Sequence, residues 1–484
     1  MLSTTLLTFL TSVLFCLWFI KFIHHAFTDP LRGIPGPRIN RYTNLALKIQ
    51  TIRGRRVHYI HDLHSKYGSI VRISPTEIAI SDLPSTREIH RIGSGYLKSD
   101  WYAKFTEESE DSLGIFSMIN AKQHAARRRL FSAAFSQTAL LQWEEVLQSR
   151  TSLVIQRIKE QAMSRGGADI FSWFTFMATD VIAELGFGES FHSLEHGKKS
   201  SFSEDLEKVM MFSGLRAELG LVAKALSRLP IPAIQHWLGS TKRIESYGVA
   251  AIAKNKALVD RGETKDTLFA KMLREGNDKS RSLSDVDIAR EASNLIVAGS
   301  DTTAVTLTYL VWAVLKNPEI KRKLVAEVQS VEHNPTSKAT NVLPYLGAVI
   351  KETLRLYGAA PGSLPRTVPT GGRTLGSHFI TEGITVSTQA YTLHRDPRIF
   401  PSPLKFMPER WLEPTQEMKD AWMPFGGGSR VCIGLHLAQA ELSLAAAKFF
   451  RECPTAVVRT IDEDMELENY FLVAPRGHRC EILL

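Results

Sequence analysis

One cysteine stands where its type and neighbours could do chemistry. In PFGGGSRVCIG (residues 424–434) three successive glycines permit backbone angles closed to other residues, and Cys432 falls just before the amphipathic stretch LHLAQAELSLAAAKFF, at a predicted helix start. Amides at that start, those of Ile433 and Gly434, can point at the sulfur and favour thiolate over thiol, and Phe425 would screen it from water. A lone cysteine more often simply packs in a core. A phosphate-cradling glycine loop is another reading, but the Gly-Lys-Ser/Thr ending is missing. A single thiolate on a rigid loop beneath an aromatic screen suits the fifth ligand of a haem iron.

Two further constellations stand out. AGSDTT (residues 298–303) puts a glycine, an acid and three hydroxyl residues into an apolar helical stripe, at a cost in helix stability. It is either an exposed patch on a partly solvated helix or a polar notch facing a cavity, where Thr302 could relay protons fed by Asp301. Glu352 and Arg355 in KETLRLYG lie three apart and project from one helix face. An exposed pair of this kind contributes little, but Leu346, Val349, Ile350 and Leu354 around it suggest burial and a further partner, for which Arg410 in FMPERW is the candidate.

These groups need elements to hold them. Helical periods dominate residues 120–360, and strand-like alternation is confined to SIVRISPTEIAIS near residue 75 and HFITEGITVST near residue 383, so the fold class is mainly α with small β-sheets. The clearest helix starts at Ser284, with Asp287 completing a capping box, and runs to Asn317-Pro318. At about 48 Å it is as long as a domain of this size is wide and must cross the core. AGSDTT lies along it.

Residues 2–20 carry no charge and Lys21, Arg32, Arg38 and Arg41 follow, which predicts a transmembrane anchor over 1–27 with the rest of the chain on the cytosolic side. DPLRGIPGPR then cannot continue a helix and makes a proline-rich hinge, 28–38, before a single catalytic domain over 39–484. With 44% hydrophobic and 23% charged residues the chain is neither disordered nor fibrous, and Cys16, Cys432, Cys453 and Cys480 lack the spacing of a zinc site or a disulfide framework. A net charge of +9 suits an acidic protein partner or an anionic membrane and falls short of a nucleic-acid binder.

Taken together, these motifs resemble those of the cytochrome P450 family, from Pro30 to the C-terminus. F-x-x-G-x-R-x-C-x-G is met by Phe425, Gly428, Arg430, Cys432 and Gly434; AGSDTT is similar to the family's oxygen-activation motif, and Glu352, Arg355 and Arg410 to its structural triad. YGSIVRISPTEI (67–78), PGSLPRTVP (361–369) and STQAYTLHRDPRIFP (387–401) resemble fungal secondary-metabolite members of the sterigmatocystin/trichothecene type, which sit in polyketide and terpenoid toxin pathways.

The resemblance implies the cytochrome P450 fold behind a single transmembrane helix, haem b bound through Cys432, and propionate contacts from His124, Arg128, Arg366 and Arg430. It implies room for dioxygen at Ala298 and Gly299, with Asp301 and Thr302 as the proton relay. For Arg127 and Arg129 a solvated face is as good a reading as a basic docking surface shared with Lys321, Arg322, Lys323 and His436. That surface would receive NADPH-cytochrome P450 reductase, and cytochrome b5 is a further expected partner, since no flavin or nicotinamide fingerprint lies in the chain. The implied activity is monooxygenation of a lipophilic metabolite at the endoplasmic reticulum membrane. A haem carrier without turnover and a reductase-independent isomerase are the alternatives. Expected cavity walls are residues 96–116, 211–226 and 295–298, Ser363, Leu364, and the turn at Phe471 and Leu472, with Asp100, Arg216 and Glu218 of uncertain orientation.

Overall fold

The computed structural model describes residues 28–106, 113–199, 201–261 and 283–484, with a few isolated positions besides. Its principal helices are α1 (Leu45–Ile52), α2 (Arg56–Tyr67), α3 (Leu83–His90), α4 (Ala121–Ser132), α5 (Glu144–Arg165), α6 (Ile170–Phe187), α7 (Ser201–Leu226), α8 (Ser240–Asp260), α9 (Asp285–Leu315), α10 (Pro318–Gln329), α11 (Pro344–Tyr357) and α12 (Leu435–Glu452). The main sheet joins β1 (Ile70–Arg72), β2 (Glu77–Ile80), β3 (Leu97–Lys98), β4 (Arg366–Thr367) and β5 (Thr385–Thr388) in the order β1-β2-β5-β4-β3. Both predicted strand patches are therefore present.

Helix α9 crosses the core as its length demands, packed against α6, α8, α11 and α12. Ser284 Oγ accepts the Asp287 amide at 3.0 Å and starts it; Asn317-Pro318 ends it. Two of the three hydroxyls that argued against a helix here are satisfied by the helix itself: Ser300 donates to Ile296 O at 2.9 Å and Thr302 to Ala298 O at 2.8 Å. Gly299 serves packing. A Cβ there would lie 2.9 Å from Ile182 Cγ1, so its missing side chain lets α9 approach α6.

Helices α6 and α9 are apolar and long enough to cross a membrane, but both are largely buried in this core. The anchor expected over 1–27 lies outside the described residues, save three isolated positions. Residues 29–38 pack against the sheet: Leu31 and Ile34 are buried, and Asp29 pairs with the buried Arg72 at 2.5 Å. Helix α7 is kinked at Leu219, one residue after Glu218, which Arg56 and the Trp101 indole hold at 2.8 and 3.2 Å.

Candidate functional site

The cysteine loop is built as its glycines require. Gly426 and Gly428 have φ of +73° and +61°, and a Cβ on Gly428 would fall 1.9 Å from His90 O, so the loop lies hard against the end of α3. The Cys432 amide donates to Phe425 O at 2.9 Å, closing the loop on the aromatic residue. Burial pushes the Cys432 thiol pKa up, while the Gly434 amide and the Arg128 charge oppose that rise. Of the two amides expected to face the sulfur, Gly434's is the one that does. Cys432 stays accessible although its loop lies packed against the protein at Gly428.

Beside the loop the fold gathers basic side chains. His124 and Arg128 share one face of α4, whose first turn Asn120 caps, and Arg128 Nη1 donates to Val431 O at 2.7 Å. Arg430 donates to Met118 O at 2.7 Å and Ile119 O at 3.0 Å. Lys98 and Arg366 are direct partners on the antiparallel pair β3–β4, an opposition that ordinarily destabilises a sheet. Among the described residues none of these cations pairs with a carboxylate.

Burial and mutual repulsion set the charge state. His124 is pushed down to about 3, first by burial and then by Arg430, Lys98, Arg128 and Arg366. Lys98 lies well below its ordinary range through burial and the charges of Arg366 and Arg430, and burial takes Arg430 to about 10. Buried Arg366 leaves Nη1 without a partner. A cluster of basic side chains, three of them buried, with an orphaned guanidinium nitrogen, beside an accessible thiol, fits the two propionates and the iron of a haem. Lys98 escaped the sequence reading, since a strand of two residues leaves no periodic signal.

On α9 the AGSDTT stretch is only partly covered. Ser300 and Thr303 are buried, Asp301 and Thr302 partly accessible, and Ala298 is exposed in the middle of a core helix, so that face opens onto an interior notch. The predicted aromatic wall assembles: Trp101 stacks on Phe105 at 5.2 Å, Phe105 meets Phe471 at 4.5 Å, and Phe116 lies 5.7 Å from Phe471. Residues 107–112 of that wall lie outside the described residues. Asp100 turns outward to Lys104; Arg216 donates to Phe105 O at 2.8 Å. A separate cleft of about 510 Å³ between the end of α6 and α8 shares no residue with this site.

Two expectations change in detail. Glu352 and Arg355 are fully buried and joined by paired 2.8 Å bonds, with Arg410 on the same carboxylate at 3.2 Å; Trp411, which sequence reasoning missed, donates its indole N–H at 2.8 Å. The basic face is thinner than expected. Arg127 is no solvated residue, because it pairs with the buried Glu291 at 2.9 Å; Lys321 donates to Ala456 O, Arg322 pairs with Glu319, and Lys323 with Glu409. Arg129 and His436 are exposed.

A model of the family described as Cytochrome P450 matches residues 34–481. The chain is 44% identical over 466 residues to the cytochrome P450 monooxygenase tazI of Aspergillus terreus, covering 95% of each chain. It is 38% identical over 474 residues to the cytochrome P450 monooxygenase stcB of Emericella nidulans, covering 96% of this chain and 90% of that one. Over 479 residues it is 36% identical to the cytochrome P450 monooxygenase aflV of Aspergillus parasiticus, covering 96% and 93%.

Proposed function

The chain belongs to the cytochrome P450 family, and on that premise we propose that it inserts one oxygen atom of O2 into a lipophilic fungal secondary metabolite of polyketide or terpenoid origin. Electrons would come from NADPH through a separate reductase. The observation that carries the reading is the accessible thiol of Cys432 beside buried and partly buried basic side chains that pair with no carboxylate among the described residues.

Cys432 Sγ would hold the iron as thiolate, supported by the Gly434 amide and Arg128. Lys98, His124, Arg128, Arg366 and Arg430 would hold the propionates, each exchanging a repulsive neighbour for an anionic one. Haem b, when bound, supplies the activation of dioxygen and the transfer of one of its atoms. The protein's own work is placement and proton supply. Thr302 Oγ1 holds a proton at the edge of the notch, resting on Ala298 O at 2.8 Å, and rotation of the hydroxyl would present it to the cavity. Asp301, partly accessible beside it, is the group placed to replace that proton. The rings of Trp101, Phe105, Phe116 and Phe471 exclude water and favour an uncharged substrate.

Membrane attachment is part of the proposal. Leu45, Ile49 and Ile52 lie exposed along one face of α1, with Ile39 and Tyr42 before it, and Val222, Leu229 and Ile231 are exposed near the end of α7, which packs on α1. A continuous apolar surface of this kind suits the endoplasmic reticulum bilayer beside the anchor proposed over 1–27, with the catalytic domain in the cytosol.

The deciding experiment loads the full chain with haem in membrane vesicles and adds a P450 reductase, NADPH and lipophilic precursors made by the neighbouring biosynthetic genes. The expected result is the thiolate-type absorbance of the reduced carbon monoxide complex and substrate-dependent oxygen use. In Thr302→Ala the spectrum should persist while electrons are diverted to hydrogen peroxide. Haem uptake with no oxygen use on any precursor would favour a carrier, and turnover without reductase an isomerase.

A further inference from the structure

Glu291 is a fully buried carboxylate on α9 that the proposed chemistry does not use. It precedes Ala298 and Thr302 by seven and eleven residues, which on a helix puts all three within about 20° of one face. Its oxygens accept the Ile115 amide at 2.9 and 3.2 Å, and Oε1 also accepts Arg127 Nη1 at 2.9 Å. The backbone beyond Ile115 is held at three of the next four carbonyls by basic side chains: Phe116 O accepts Lys98 Nζ, and Met118 O and Ile119 O accept Arg430.

What this bracing fixes is a ring. Phe116 stays partly accessible, 4.6 Å from Lys98 Nζ, and meets Tyr102, Phe105 and Phe471 at 5.4, 5.8 and 5.7 Å, so it joins the cation cluster to the aromatic wall. Moving the Ile115 amide would move that wall. A fully buried carboxylate that engages both a guanidinium and a loop amide is a costly way to hold a loop whose position does not matter.

We propose that Glu291, braced by Arg127, is a positioning residue that sets residues 115–116 and thereby places Phe116 as the wall limiting the size and shape of substrate beside the haem site. The proposal rests on the haem-thiolate reading above. Arg127 then acts through Glu291, on the cavity side, and not on a reductase.

The test is spectral titration of the haem-loaded full chain with imidazole, which asks only for access to iron, and with 1-phenylimidazole, which also asks for a wall to stack on. Glu291→Ala and Phe116→Ala should each weaken phenylimidazole binding about tenfold, leave imidazole within about twofold, and show no further loss when combined. Glu291→Gln, which keeps an acceptor for the Ile115 amide, should hold phenylimidazole within about threefold. Unchanged phenylimidazole affinity in Glu291→Ala, equal weakening of both ligands, or additive losses in the double variant would overturn the proposal. Should Glu291→Ala fail to load haem, Arg127→Met takes its place with hydrogen exchange at the Ile115 amide: faster exchange together with weaker phenylimidazole binding supports the proposal, and either change alone overturns it. If imidazole never perturbs the spectrum of the unaltered protein, it is the haem reading that fails.

Discussion

Two buried charge clusters in this protein are built on opposite rules. Around Glu352 the charges close on themselves: Arg355, Arg410, the Trp411 indole and the Met407 amide, at 2.9 Å, occupy the carboxylate. Around Arg366 the basic side chains have one another for neighbours and no carboxylate among the described residues, and His124 falls to about 3, first through burial and then through the charges of Arg430, Lys98, Arg128 and Arg366. The first cluster, with two guanidiniums on one carboxylate, is balanced in hydrogen bonds and not in charge, and it is complete as soon as the chain folds. The second is complete only when an anion arrives, so its cost to the empty protein is its affinity for the ligand.

The largest expected effect comes from unbalancing the first. Glu352→Gln leaves Arg355 and Arg410 buried without a counter-charge and should cost about 3–5 kcal/mol of folding stability, with or without haem. Chemical denaturation of the haem-free protein measures it. A variant that folds as stably as the parent would show the cluster to be dispensable.

Arg366→Met should do the reverse. It removes a repulsive cation, so the haem-free protein should be as stable as the parent or more so, while haem affinity falls by about 1.5–3 kcal/mol, the worth of a charge-assisted hydrogen bond. Haem titration paired with denaturation separates the two effects. Loss of stability in the haem-free state would mean that Arg366 belongs to the balanced kind.

Acid sharpens the contrast through His124. Its folded pKa of about 3 lies below the unfolded value near 6.5, so as pH falls from 7 to 5 the unfolded chain takes up a proton that the folded chain refuses, and stability is lost. His124→Gln should make that loss smaller by about 1–2 kcal/mol in the haem-free protein. In the haem-loaded protein, where propionates would favour the imidazolium, the substitution should change the loss less. Denaturation at both pH values, with and without haem, gives the comparison.

These clusters differed in how far they could be read from sequence. Glu352, Arg355 and Arg410 were legible because three-residue spacing on an apolar helix forces burial, and burial demands a partner. Cys432 was legible from glycines that only a tight loop needs. Helix α9 was legible from its cap, period and proline stop, and the two alternating patches were recognised as strands. Lys98, Trp411 and Glu291 were not, because each is defined by a contact across the fold: a two-residue strand, a neighbour of Arg410, and a carboxylate meeting a loop about 175 positions earlier. The packing role of Gly299 was hidden for the same reason, since only the packed structure puts Ile182 against it.

The smallest effect fixes the boundary of the rule. Lys323 and Glu409 form a pair at 2.7 Å, but both side chains are well over a third exposed, at 44% and 39%. Water there is a partner for whichever charge is left alone, so Lys323→Ala should change stability by less than about 0.5 kcal/mol, although it unbalances its pair as fully as Glu352→Gln unbalances the buried one. The same denaturation series checks it. A loss near that of Glu352→Gln would show that pairing alone, and not burial, decides the cost, and the contrast between the two interior clusters would lose its physical basis.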